Sequence, residues 1–384
     1  MRRAGARLNC RSNEARATRE GMGNTTLLDA TTRYETWLAE QLEIVPDDLT
    51  RKHVEMAKAA FPFLRATFYR WAEQWPSACP ELLNATSVVS IGDLHVENFG
   101  TWRDAEGRLI WGVNDFDECF PLPWTHDLVR LSTSALLAID AQRLSVKRAD
   151  ACAAILSGYT ESLTKRGEPF VLAEKNRRLR KIAVERLRDP GAFWAKLDAL
   201  PTWTGSVPES ALTALRESLP EPTLACRIVH RVAGLGSLGR HRFVALADFR
   251  GGRIARESKA WAPSACAWAT AQSEKVRYSD RILCDAPRAH DPFLKASPAW
   301  TTRRLAPDCA RIELGELPAE RDEPRLLEAM GFELGNLHLA DPNAAHVLGE
   351  LQGRPAGWLL DAAKRMSKLV SSDWESWRAS GAAR

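Results

Sequence analysis

The sequence predicts an α+β chain of two lobes, a larger helical one and a smaller β-rich one. Three observations predict it. Apolar residues recur at helical spacing over 31–70, 126–163 and 172–200, and again over 325–340 and 356–378. From Arg227 onward the pattern turns to alternating strands separated by glycine turns. Between these regions, 201–222 collects Pro201, Gly205, Pro208, Pro220 and Pro222, which places a boundary there. The expected organisation is a disordered tail (1–25), a helical lobe (26–225), a small β-rich lobe (226–318) and C-terminal helices that complete the helical lobe (319–384).

Taken in order, Trp37, Leu38, Leu42 and Ile44 mark the first helical segment, which runs to Pro46. A second segment, 54–75, breaks near Pro62, and 76–80 is a turn. Residues 87–91 form a short strand that delivers Gly92 and Asp93 to a loop. A hairpin follows, with strands at 99–102 and 109–113 around a turn at 103–107. Strands at 227–233, 242–247 and 254–260 flank Gly234-Leu-Gly-Ser-Leu-Gly239 and the tight turn at 250–253. Pro263-Ser264 opens a helix running to about Val276, and 302–317 holds short strands.

Composition excludes several classes. With 384 residues, 45% hydrophobic and 27% charged, this is ordinary globular composition. Six Arg against two Glu give residues 1–20 a charge of +4, the whole net charge of the chain, so no basic face for nucleic acid is implied. Met22 is the expected true start. No stretch reaches the roughly 18 apolar residues of a membrane span. The eight Cys form no Cys-x-x-Cys pair, so scattered buried thiols in a reducing cytoplasm are expected. Fourteen Trp are expected to pack cores and the lobe interface. The basic run Lys175, Arg177, Arg178, Arg180 and Lys181 is expected to be a solvated helix face.

The chemistry lies in two segments. Asp93 and Asn98 sit five positions apart in Gly92-Asp-Leu-His-Val-Glu-Asn98, and Asn114-Asp-Phe-Asp-Glu118 begins 16 residues after Asn98. The hairpin between them folds Asn98 and Asp115 to one rim. One carboxylate to accept a hydroxyl proton, with an amide and further carboxylates to hold magnesium, is what phosphoryl transfer requires. Three acids as close as Asp115, Asp117 and Glu118 repel one another unless a cation neutralises them. The glycine loop lies between strands, as a phosphate-covering flap does. Lys259 follows on a later strand, with Glu274 as its expected partner and Glu257 as a competitor. His95 is expected to bond within its loop, Asp127 to pin that loop from below, and Arg65 to pair with Asp93, Asp117 or Asp127.

These motifs resemble the kinase-like superfamily, nearest its aminoglycoside phosphotransferase and choline kinase branch. Over about 50–345 the chain is similar to the bacterial family numbered 2252 among the domains of unknown function. Further carriers of that likeness are Phe63-Leu-Arg65, Pro123-Trp-Thr-His-Asp127-Leu-Val-Arg130 and Gly335-Asn-Leu-His338. The resemblance implies a bilobal protein-kinase-like fold. Because the catalytic motifs precede the glycine loop, it also implies a circular permutation, with the C-terminal helices beside residues 34–90. It implies ATP and Mg as cofactors and Asp93 as base. Asn98, Asp115 and Asp117 are implied as metal ligands, and Gly234, Gly236, Ser237, Gly239, Lys259 and Glu274 as the nucleotide site. Ile91 departs from the His usual before Gly-Asp in small-molecule phosphotransferases, and no Ala-Pro-Glu segment is present, which argues against a protein kinase.

The expectation is therefore a cytoplasmic Mg-ATP-dependent phosphotransferase acting on a small hydroxylated molecule, with no nucleic-acid or membrane partner. One alternative is a non-catalytic or nucleotidyl-transferring ATP-binding protein. Another is a metal-dependent hydrolase using Asp93, His95, Asp115 and Asp117.

Overall fold

A computed structural model describes residues 26–172, 176–177, 179–181, 189–309 and 322–382. The tail at 1–25, Lys175 and Arg178 of the basic run, and the strands expected beyond 309 lie outside the described residues. The architecture is α+β, with helices and three small antiparallel sheets.

The first helix, Leu27–Gln41, starts where Thr26 Oγ1 accepts the Asp29 N–H at 3.2 Å, and it buries Leu27, Ala30, Tyr34 and Leu38 along one face. Pro46 opens Pro46–Lys58 from the first-turn position that tolerates its missing N–H. The break expected near Pro62 falls at Ala59, whose extended backbone separates that helix from Ala60–Ala66. Pro62 itself lies in the first turn of the new helix, where it disturbs nothing. Phe68–Ala78 runs through the expected turn, with Pro76 inside it.

Thr125–Asp140 is the central helix, buried from Thr125 to Ala138. Beside it, Arg148–Lys165 and Glu323–His338 cross at glycine. A Cβ on Gly158 would collide with the Glu328 carbonyl, and one on Gly331 with the Ile155 carbonyl. The long helix Trp358–Ser380 closes this lobe. Its Trp374 and Trp377 indoles each donate at 3.1 Å to the Ala57 and His53 carbonyls, and Asp373 accepts from Arg70 Nε at 3.0 Å. The C-terminal helices thus pack beside residues 34–90, as expected.

β1 (Ser87–Ser90) pairs with β4 (Phe120–Pro123). The expected hairpin is β2 (Phe99–Arg103) with β3 (Leu109–Val113), extended by β5 (Phe170–Val171). The larger sheet has the order β6-β7-β8-β10-β9, from Arg227–His230, Arg242–Phe249, Gly252–Ala260, Trp300–Leu305 and Lys295–Ala296. The glycine loop joins β6 to β7, and Lys259 stands on β8 opposite Arg242.

Two helices that precede the expected boundary at 225 pack on the larger sheet. Helix Glu209–Ser218 lies within the supposed connector and packs Ala211 and Leu215 against Phe243 and Trp300. Helix Pro190–Asp198 packs Phe193 and Leu197 on the other face, against Val229, Val244 and Leu246. Pro190–Asp198 lies within the stretch read as helical, whereas Glu209–Ser218 is short and the surrounding Pro and Gly hide its periodicity. The thiols also divide: Cys79, Cys119, Cys152 and Cys266 are buried, but Cys226 and Cys284 are exposed.

Candidate functional site

The Asp93 loop is built on one buried carboxylate. Asp127 Oδ2 accepts the Ile91 N–H at 2.6 Å and Oδ1 the Gly92 N–H at 3.0 Å. His126 Nδ1 meets Oδ1 at 3.1 Å, and His338 Nε2 meets Oδ2 at 3.2 Å. Because the Trp71 indole can only donate, its 2.9 Å bond makes His126 Nε2 an acceptor and leaves the ring proton for Asp127. The imidazoles hold Asp127 well below the usual carboxylate range against the opposing effect of burial, and burial pushes His126 down. The expected pinning role of Asp127 is present, with two histidines added. Gly92 is obligatory here: its φ is +78°, and a Cβ would collide with the Glu118 carbonyl.

Asp93 Oδ1 is held by the buried Arg130 guanidinium, which also donates to the Leu64 carbonyl at 2.8 Å. Burial pushes the Asp93 pKa up, Arg130 pulls it down, and Asp115 adds an upward push. Arg65 was expected on Asp93, Asp117 or Asp127, but it pairs with Glu97 at 2.6 Å. Sequence offered three nearer-seeming acids, and the helix Ala60–Ala66 turns the guanidinium to the fourth. Asn98 Nδ2 donates to the Asp93 carbonyl at 3.2 Å, which closes the loop. His95 Nδ1 accepts the Glu97 N–H at 3.2 Å, so this ring is tied into the loop as expected.

Lys259 reaches across from the five-stranded sheet. Its amine lies 3.3 Å from Asp115 Oδ1 and also contacts Asp117 Oδ2. Glu274 is not its partner. The helix after Ser264 ends at Ala269, well short of Val276, and Glu274 lies beyond it, exposed. Glu257 is fully buried and held instead by Arg231, Arg242 and Arg303. Arg240, directly after the glycine loop, lies 3.5 Å from Asp117 and 3.4 Å from Glu118. Glu118 also accepts the Ala265 N–H at 2.7 Å, and burial pushes its pKa up.

The glycine loop roofs Asp93. A Cβ at Gly236 would stand 2.9 Å from the Arg65 carbonyl and 3.3 Å from Asp93 Oδ2, so only glycine fits this approach. Lys52 Nζ donates to the Gly236 carbonyl at 3.4 Å, and Val45 N–H to the Gly239 carbonyl at 2.8 Å. Gly234 and Gly239 both hold positive φ, and Gly239 rests on Leu49. The Ser237 hydroxyl accepts from Arg242 Nη2 at 2.6 Å. Lys52 is buried, and desolvation lowers its pKa to about 8. Neither Lys52 nor Arg240 was singled out from sequence. Arg240 carried a signal in its place beside Gly239; Lys52 carried none.

Asp93, Asn98, Asp115, Asp117, Gly236 and Arg240 all line one small cleft, partly open to solvent. Two cations, Lys259 and Arg240, contact the three acids Asp115, Asp117 and Glu118. Asn114 Oδ1 is buried without a hydrogen-bond partner among the described residues. Asn98, Asp115 and Asp117 offer oxygen donors of the kind a hard divalent cation takes, and would hold one if it displaced Lys259. Among the described residues no group of three or more His, Cys, Asp or Glu side chains is arranged as a metal site, and His95 does not join Asp115 and Asp117 in one. No helix of the described residues is long and apolar enough to cross a membrane.

Residues 44–192 match a family described as an uncharacterized protein conserved in bacteria, DUF2252. That span contains the Asp93 loop, the Asp115 segment, Asp127 and Arg130, and ends before the glycine loop. No curated protein and no solved structure matches the chain.

Proposed function

We propose that the chain is a magnesium- and ATP-dependent phosphotransferase with a small hydroxylated acceptor, on a two-lobed kinase-like fold with permuted lobe order. The observation that carries this reading is the Lys259 amine, 3.3 Å from Asp115, beside a cleft in which a glycine loop covers Asp93. A positioned base, a lysine for phosphates, oxygen ligands for a cation and a backbone flap are the parts that phosphoryl transfer needs.

Arg130 engages Asp93 Oδ1, so Oδ2, which faces Gly236, receives the acceptor proton as the loop lifts. A positioned base contributes about 10²–10⁴ in rate. Asp115 and Asp117 would hold the cation together with Asn98, and Lys259, released from those acids, would be free to contact the phosphates. Bound magnesium supplies neutralisation of the phosphate charge. Arg240 holds Asp117 and Glu118 in position.

A thermal-shift titration with ATP and magnesium tests the site. Stabilisation is expected in the native chain and not in Asp115→Ala. A shift that survives this substitution removes the metal assignment. Phosphate transfer to a panel of small alcohols, followed by phosphorus NMR, is expected to fall at least about 10²-fold in Asp93→Asn. Binding without transfer is a second reading, favoured by the Asp93–Arg130 ion pair that occupies the base. It predicts ATP stabilisation with no turnover that depends on Asp93.

A further inference from the structure

On the far side of Gly234 from Asp93 lies a larger cavity, partly open to solvent. Its chemistry follows from strand alternation. Arg242, Val244 and Leu246 of β7 share a face with Lys259, Glu257 and Ala255 of β8 and with Thr301, Arg303 and Leu305 of β10. The apolar end of this face is covered by Phe193. The charged end is left facing the cavity.

Five guanidinium groups line that space: Arg231, Arg242, Arg288, Arg303 and Arg304. Three of them converge on one carboxylate, with Glu257 at 2.6 Å from Arg231, 2.9 Å from Arg242 and 2.8 Å from Arg303. One negative charge shared by three cations leaves a surplus of two. The neighbouring acids do not cancel it: Asp308 is shared by Arg103 and Arg304, and Glu333 lies 3.8 Å from Arg288. Burial pushes both Glu333 and Asp291 toward the neutral form. Buried donors also stand idle. Arg242 Nε and Arg288 Nη1 have no hydrogen-bond partner among the described residues, and the Arg242 side chain is only 2% exposed. Opposite the sheet, Arg288 lies between the Trp102 and Phe116 rings, 4.7 and 4.9 Å from their centroids, which gives the cavity an aromatic wall.

We propose that this cavity binds a small organic molecule bearing a multiply charged phosphate group, with the phosphate on Arg231, Arg242 and Arg303 and the body between Phe193 and the Trp102–Arg288–Phe116 stack. Guanidinium forks match phosphate oxygens in pairs, and dry, clustered arginines favour such an anion over solvent. The aromatic wall offers a flat surface to whatever carries the phosphate. The inference does not depend on transfer chemistry at Asp93, since it needs only the sheet face and the Arg288 stack.

The test is calorimetric titration of the full chain with sodium tripolyphosphate, ATP and adenosine, in buffer containing EDTA so that the acids around Asp115 contribute no metal-dependent binding. Tripolyphosphate and ATP are expected to bind, and adenosine much more weakly. Arg231→Gln and Arg303→Gln are expected to weaken both phosphates at least tenfold, with Arg231→Lys partly restoring affinity. Asp115→Ala, which tests the phosphotransferase site, is expected not to weaken them, so the two readings fail separately. ATP binding tighter than tripolyphosphate makes the carrier a nucleotide; equal affinities make it another phosphorylated molecule. Arg303→Gln has the greater risk of misfolding, and Arg231→Gln, with a side chain 22% exposed, then carries the test. Absence of phosphate binding at millimolar concentration overturns the proposal. So does unchanged affinity in an arginine variant that melts like the native chain.

Discussion

Lys259 and Asp115 are separated by 144 positions in the chain and by 3.3 Å in space. The contact joins the two sheets of the cleft: Asp115 follows the last strand of one hairpin, and Lys259 sits near the end of the central strand of the five-stranded sheet. Replacing Lys259 with Met leaves Asp115 and Asp117 without their shared cation. On the phosphotransferase reading, transfer is expected to fall about 10²–10³-fold, as when one pre-set donor to a developing charge is lost. Steady-state assay of Lys259→Met beside Lys259→Arg checks this, and equal rates in both variants and the native chain would exclude a role at the phosphates.

Lys52 gives a pH signature. Its folded pKa of about 8 lies below the usual 10.5, because burial disfavours the charged amine. Between those values the unfolded chain binds the extra proton, so stability rises with pH through that window. The desolvation cost is fully present below about pH 8 and is gone above about 10.5; its size is on the order of 3 kcal/mol. Denaturant melts from pH 7 to 10.5 are expected to gain stability relative to Lys52→Met, which carries no such slope.

Acid acts on the His126–Asp127 pair in two stages. His126 titrates below its ordinary value, so the stability it permits is complete above about pH 6.5 and declines below it. Protonation at Nε2 also removes the acceptor of the Trp71 indole. Asp127 is depressed, so its contribution is present above about pH 4 and lost on further acidification. Asp127→Ala strands two buried N–H groups and two imidazoles, with an expected loss of about 3–5 kcal/mol in chemical denaturation.

Two glycines should separate folding from chemistry. Gly92→Ala forces a side chain onto a left-handed backbone and into the Glu118 carbonyl, with an expected cost of about 1–3 kcal/mol or more. Gly236→Ala places its methyl 2.9 Å from the Arg65 carbonyl and 3.3 Å from Asp93 Oδ2, where a methyl at Gly92 would meet the Glu118 carbonyl at 2.3 Å on a left-handed backbone. It should cost less stability than Gly92→Ala while losing activity that depends on Asp93. Paired melting curves and rates decide between these outcomes.

The β2–β3 hairpin, the loop around Asp93, the placing of Lys259 and the docking of the C-terminal helices were legible in the sequence. Each rests on local alternation or on a motif of fixed spacing. Arg65 and Glu274 were misassigned because a partner for a long charged side chain depends on where helices end, and Ala269 ends one earlier than expected. Arg130 stood within a motif, but its reach to Asp93 comes from the second turn of a helix buried from Thr125 to Ala138. Helix Glu209–Ser218 was masked by the prolines beside it.

The glycine loop is fastened at its Gly239 end, where Val45 N–H bonds to the Gly239 carbonyl and Ile44 bridges to Arg240. Lys52 and Arg242 latch its middle, at Gly236 and Ser237. A swing about the Gly239 post that uncovers Asp93 has to release both latches, as in a door hung on the amino-terminal helices. A wedge driven between Ile44 and Arg240 would unhang that door without touching Asp93.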